Sequence, residues 1–206
     1  MSVPTKGPAP EGDTMIHNLA AGVTAFTSNV FLVQGSRPVL VDTGANFDVV
    51  ERIRERVDDL GAVVLTHTHR DHVGNLEAVT DAFDVTVSGF DPRHDGVNVA
   101  IEDEETLVLG DHEYVALHTP GHKDDHICLY AAEPGVLFAG DLVFPNGGFG
   151  RTDLEEGDHT ALVASIDRIR DRVSPDLQEL HCGHGQSVTV EPYRHIELAA
   201  RMARQV

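Results

Sequence analysis

Ala62-Val63-Val64-Leu65 runs directly into Thr66-His67-Thr68-His69-Arg70-Asp71-His72. Four apolar residues after Gly61 read as a short buried strand, and the polar stretch then begins at its end. While the backbone stays extended, period two puts His67 and His69 on one side, where two imidazoles can grip one cation. Asp71 and His72 follow as the chain turns into a helix, so they point at a neighbouring position. The spacing suits two adjacent metals better than one.

Three further candidate ligands lie beyond this stretch, each just past its own predicted strand. Thr119-Pro120-Gly121-His122 follows the run 114–118, Gly140-Asp141 follows 136–139, and Gly183-His184-Gly185 follows 178–182. Strand ends are where loops carry function on a rigid scaffold, and the flanking glycines let backbone approach an ion closely. A lone histidine is more often a surface or satisfied core residue than a ligand. Here three His and one Asp within six residues, joined by three more strand-end ligands, would be a costly way to build an ordinary core. The pattern therefore reads as a metal site. Imidazole and carboxylate without thiolate suit zinc, and also iron or manganese.

Around these motifs the chain alternates short β-rich runs with amphipathic helices. Residues 1–13 read as a flexible arm rich in Pro and Gly, and residues 14–206 as a single domain. The runs 23–34 and 37–42 are strands; Phe47, Val50, Ile53, Val57 and Leu60 give a helix that Gly61 ends. Val73, Leu76, Val79 and Phe83 line the helix after His72, with strands at 84–88, 106–109 and 127–131 beyond it. Leu162, Ile166, Ile169 and Val173 mark a later helix, and 191–204 a closing one. Two sheets' worth of strands with helices outside is the economical architecture.

Composition narrows the function. The 206 residues carry 34 Asp and Glu against 15 Lys and Arg, a formal net charge of −19. Such a surface repels phosphate backbones, which argues against nucleic acid as a partner. No apolar run approaches the ~20 residues that cross a bilayer. The N-terminus lacks the features of a secretory signal, so a cytoplasmic address and reduced cysteines, Cys128 and Cys182, are expected. Lys6 and Lys123 are the only lysines among the 15 basic residues, a bias that suggests a halophilic source.

The motifs together resemble the metallo-β-lactamase-fold hydrolases over residues 26–190: Val41-Asp42-Thr43-Gly44, the 67–72 cluster, His122, Asp141 and His184 occur in the family's order. The resemblance implies an α/β fold, an αββα sandwich of two mixed sheets flanked by helices, with metals at one edge. It implies His67, His69 and His122 on one divalent ion, Asp71, His72 and His184 on a second, and Asp141 bridging both. Asp42 would orient the ligands from behind, and Asp71 and Asp141 would serve catalysis. Two such ions can share a water, lower its pKa and supply hydroxide at neutral pH.

Gly150-Arg151-Thr152-Asp153 and the stretch 119–127 are similar to small glyoxalase II-like hydrolases and to persulfide dioxygenases. The family more often has Thr where Lys123 stands. The expected reaction is hydrolysis of a small-molecule thioester of the hydroxyacyl-thiol type. The alternative is a dioxygenase with one iron on His67, His122 and Asp141. Full-length glyoxalase II enzymes continue into a glutathione-binding helical domain where this sequence ends, so another small thiol is an expected carrier. Arg151 is a candidate for a substrate carboxylate, with an internal pair to Asp153 as its structural alternative. His126 is a candidate pocket residue, and His118 a candidate support. Oligomeric state is not legible.

If the acidic surface is an adaptation to salt, screening will relieve its self-repulsion, because the Debye length falls to about 3 Å at molar salt. The melting temperature should then rise between low and molar KCl; a flat or falling curve would rule the adaptation out.

Overall fold

Alternation along the strands sorts the apolar residues into three cores. In a computed structural model describing residues 15–206, β2 (Phe31–Val33), β3 (Val39–Val41) and β4 (Ala62–Val64) turn Leu32, Leu40 and Val63 to one face. There these residues meet Val49 and Ile53 of α1 (Val49–Arg54) and Leu76 and Val79 of α3 (Leu76–Ala82). Phe31, Val33, Val39, Val41, Ala62 and Val64 turn to the opposite face and pack against the second sheet. Period two thus places every other residue in a different layer.

The first sheet has the order β1-β2-β3-β4-β5-β6, with β1 at Ile16–Asn18, β5 at Thr86–Gly89 and β6 at Val99–Ala100. It is antiparallel from β1 to β3 and parallel from β3 to β6. The second has the order β13-β10-β9-β8-β7, comprising β7 (Thr106–Leu109), β8 (His112–His118), β9 (Ile127–Ala131), β10 (Val136–Gly140) and β13 (Glu179–Cys182). All its pairs are antiparallel except β10 with β13. Its outer face buries Leu117, Cys128, Tyr130 and Leu137 against Leu162, Ile166 and Ile169 of α4 (His159–Arg172) and Ile196 and Ala199 of α5 (Pro192–Ala203). The four layers are the expected αββα sandwich. The arm at residues 1–13 lies outside the described residues. No helix among the described residues is long and apolar enough to cross a membrane.

Several elements differ from the sequence pattern, among them β1 and β6, which fall where no strand was expected. The first helix closes at Arg54 rather than Gly61, with Arg56 N and Val57 N both turning in to Ile53 O and Asp59 then taking the Leu60 N–H on its side chain. The helix after His72 is two helices, α2 (Arg70–Val73) and α3, broken at Gly74 and Asn75. Gly74 lies so close to Ala45 that a Cβ there would sit 2.6 Å from the alanine's own. Residues 23–30 are loop, since Ser28 and Asn29 donate to Asp71 and Gly183 instead of to a strand neighbour. A hairpin of β11 (Val143–Phe144) and β12 (Gly148–Phe149) was not legible from periodicity.

Phe138 stands at the centre of the inter-sheet core at 1% exposure, with ring centroids of Phe31, Tyr114 and His181 at 5.5, 5.7 and 5.0 Å. Phe138→Ala should cost about 3–5 kcal/mol, read as a lower urea midpoint with an unchanged slope.

Candidate metal centre

Five chain segments deliver the predicted ligands to one edge of the sandwich. β4 ends just before His67 and His69, α2 carries Asp71 and His72, and β8, β10 and β13 end just before His122, Asp141 and His184. A cross-link between the sheets holds this edge together: Ile127 N donates to Thr66 O at 2.7 Å.

All seven side chains converge. His69 Nδ1 lies 3.1 Å from His67 Nε2 and 2.9 Å from His122 Nε2, forming one three-imidazole group. His184 Nε2 lies 3.0 Å from Asp71 Oδ2, and with His72 these form a second. Asp141 stands between the groups. Its Oδ2 is 3.4 Å from both His122 Nε2 and His184 Nε2, and its Oδ1 is 3.5 Å from His72 Nε2.

The donor set fits a cation. His72 Nε2 and Asp141 Oδ1 are buried with no hydrogen-bond partner, a state that costs about 1–3 kcal/mol per group unless something else binds there. The outer nitrogens are already used. His72 Nδ1 donates to Asp42 at 2.8 Å, His122 Nδ1 donates to Arg151 O at 2.8 Å, and His67 Nδ1 lies 3.2 Å from Thr66 Oγ1. Such bonds fix the tautomer and leave the inward lone pair free.

Charge follows the same design. Burial, reinforced by neighbouring imidazoles, holds His67 far below its ordinary value and His69 down at about 4, so both stay neutral. Burial opposes charge on His72 and His184 too, but the Asp42 and Asp141 carboxylates lift the first to about 10, and Asp141 with Asp71 lifts the second to about 9. Burial also opposes charge on Asp141, yet the His184 and His72 imidazoles facing it hold it well below the carboxylate range. The second group therefore favours positive charge.

The metallo-beta-lactamase superfamily model matches residues 23–184, spanning every ligand. The chain belongs to this superfamily. It is 29% identical over 195 residues to the hydroxyacylglutathione hydrolase GloC of Haemophilus influenzae, covering 82% of this chain and 90% of that one. It is 34% identical over 167 residues to a hydroxyacylglutathione hydrolase of Klebsiella pneumoniae, covering 79% of this chain and 64% of that relative's length. Among solved structures it matches TTHA1623 in a di-iron-bound form, with TM-score 0.70 and 28% identity over 87% of this chain and 95% of that one. The superfamily fold binds divalent metals, and this member presents the His and Asp clusters for it.

Asp42 stands behind His72 and Thr66. Its Oδ1 accepts from Thr66 N and its Oδ2 from Thr66 Oγ1, both at 2.8 Å, beside the bond from His72. Its backbone is left-handed, with φ 59°, a conformation that costs about 1–3 kcal/mol and is held by its surroundings. Gly183 passes so close to Asp141 Oδ1 and His72 that any side chain there would strike the site.

Two candidate substrate residues are reassigned. His126 is fully buried and supports Asp141 from below, its Nε2 accepting the Asp141 N–H at 3.0 Å while Nδ1 donates to Thr119 Oγ1 at 2.8 Å. Burial, with His122 nearby, pushes it down to about 3, so it remains the neutral acceptor that this bond requires. Arg151 lies at the pocket mouth but is paired through two 2.7 Å bonds with Asp153. His118 stacks on Phe90 at 3.8 Å and contacts Asp124 O at 2.8 Å, away from the ligands. Lys123 is buried against Glu156, Asp124 and Asp125, and ties the 150–158 loop to the His122 turn. Asp158, beside it, caps α4 through Ala161 N at 3.0 Å.

The mouth is a cavity of about 510 Å³ with Phe26, Phe144, Phe149 and Leu154 among its walls. These apolar residues escaped sequence reading, since Phe26 and Leu154 stand in loops and Phe144 and Phe149 in two-residue strands too short to carry a periodic signal.

Asp42→Ala should free His72 to rotate and weaken metal binding about 10–100-fold. Competition against a chromophoric chelator measures this, and unchanged affinity would show that Asp42 does not position His72.

Proposed function

We propose that this superfamily member is a metal-dependent hydrolase of small thioesters of the hydroxyacyl-thiol type. The observation that carries this reading is the second ligand group: Asp71, His72 and His184 are assembled as completely as His67, His69 and His122, with Asp141 between them. Two divalent cations held there, zinc by donor chemistry with iron or manganese also suited, would supply an acidified water and a Lewis acid for the thioester carbonyl. The relatives named hydroxyacylglutathione hydrolase support the substrate class.

The chain's own residues prepare the reaction. Asp42, Thr66, His126 and the Arg151 carbonyl hold the ligands in register, so little reorganisation is needed as charge develops. Asp71 Oδ2 and Asp141 Oδ2 face the cavity floor as ionised acceptors that orient the attacking water. A C–O bond forms from that water as the C–S bond breaks, and the water's proton leaves with the thiolate as thiol. The site takes a small molecule rather than nucleic acid, in keeping with a net charge of −19.

Protein purified without added metal should carry about two divalent ions per chain and hydrolyse S-lactoylglutathione or a simpler lactoyl thioester. Asp141→Asn should lower kcat/KM at least about 100-fold with the fold retained by circular dichroism. One iron per chain, oxygen uptake with a persulfide and no thioester turnover would replace this reading with the dioxygenase.

A further inference from the structure

Phe26 is 75% exposed, yet the backbone beneath it is fixed. Asn46 Nδ2 donates to Phe26 O at 2.7 Å, and Ala45 N donates to Thr27 Oγ1 at 2.8 Å. Ser28 N and Asn29 N donate to Asp71 O and Gly183 O at 3.1 and 2.7 Å, so the loop is fastened to the backbone of two ligand segments. The loop consequently carries Phe26 from a backbone with a set position. The Phe26 ring lies nearly parallel to the His184 imidazole, with centroids 6.2 Å apart and planes 20° apart.

Phe144 approaches the same imidazole from another side at 6.4 Å, so two aromatic rings frame the His184 end of the cavity. Leu154, 37% exposed, stands on the loop that forms another wall. The charged end lies elsewhere, where Arg151 O binds His122 and the Arg151 guanidinium is already paired with Asp153. An apolar ring displayed to water on a fixed loop, at the mouth of a cavity of about 510 Å³, is the form of a ligand contact.

We propose that Phe26 is a specificity-determining residue, and that the substrate carries an alkyl or aryl group beside its scissile bond, which packs on Phe26 and Phe144 over His184. The proposal deepens the thioester reading and rests on it for the reaction.

Two thioester series test it, one varying the acyl group over a common thiol and one varying the thiol over a common acyl group, each from methyl to benzyl. In one series kcat/KM should rise at least about tenfold from methyl to benzyl, the burial of several carbons. Phe26→Ala should reduce that ratio below about twofold, and Phe26→Leu should keep most of it. A flat wild-type series, or a preference that Phe26→Ala retains, overturns the proposal.

Calorimetry of the metal-loaded protein with 4-phenylbutanoate and butanoate separates the two claims. The aryl acid should bind about tenfold tighter to wild type, with the difference lost in Phe26→Ala. If no thioester is turned over while this difference stands, the thioesterase reading fails and the apolar subsite survives. Turnover with neither a binding nor a rate preference leaves the thioesterase and removes the subsite.

Discussion

Asp141 is a carboxylate with 6% of its surface exposed, placed where the ends of two sheets meet, and an uncompensated charge there would be costly. Its compensation organises the centre. His122, His184 and His72 approach its oxygens, and its backbone N–H is taken by His126. His126 can accept that bond only because burial keeps it neutral. Gly183 gives the carboxylate its room. These partners come from α2, from the turn after β8, from the start of β9 and from the end of β13, so the carboxylate's position depends on how both sheets meet.

Electrostatics divides the centre unevenly. His67 and His69 face mainly other imidazoles and are pushed down, whereas His72 and His184 face carboxylates and are pushed up. The Asp42, Asp71 and Asp141 carboxylates thus favour positive charge at this edge.

The mouth follows a different logic from the floor. Its floor is polar, buried and crowded with mutual constraints, while its rim is apolar and exposed. The two are joined by backbone: the Phe26 loop is hydrogen-bonded to the ligand segments at Asp71 and Gly183, and the Arg151 carbonyl orients His122. Lys123, where the family more often has Thr, ties the 150–158 loop back to the turn that carries His122. A change at the rim is therefore felt at the ligands through one or two bonds.

The sequence by itself determined the layers and marked the candidate ligands that the fold brings together. Period two in the short strands placed Leu40 and Val63 in one core and their neighbours in another, and each metal-ligating type stood immediately after such a strand. Both signals are local, so one dimension carries them. Only the tertiary structure decided the supporting and selecting residues. His126 and Arg151 had the chemistry of substrate contacts, and the structure shows their partners, Asp141 N and Asp153. Phe26 had no chemistry to mark it, and its place above His184 arises from hydrogen bonds joining residues more than 150 positions apart, such as Asn29 to Cys182, separated by 153. Pairings over that distance are set by how two sheets close on one another, which no local spacing records.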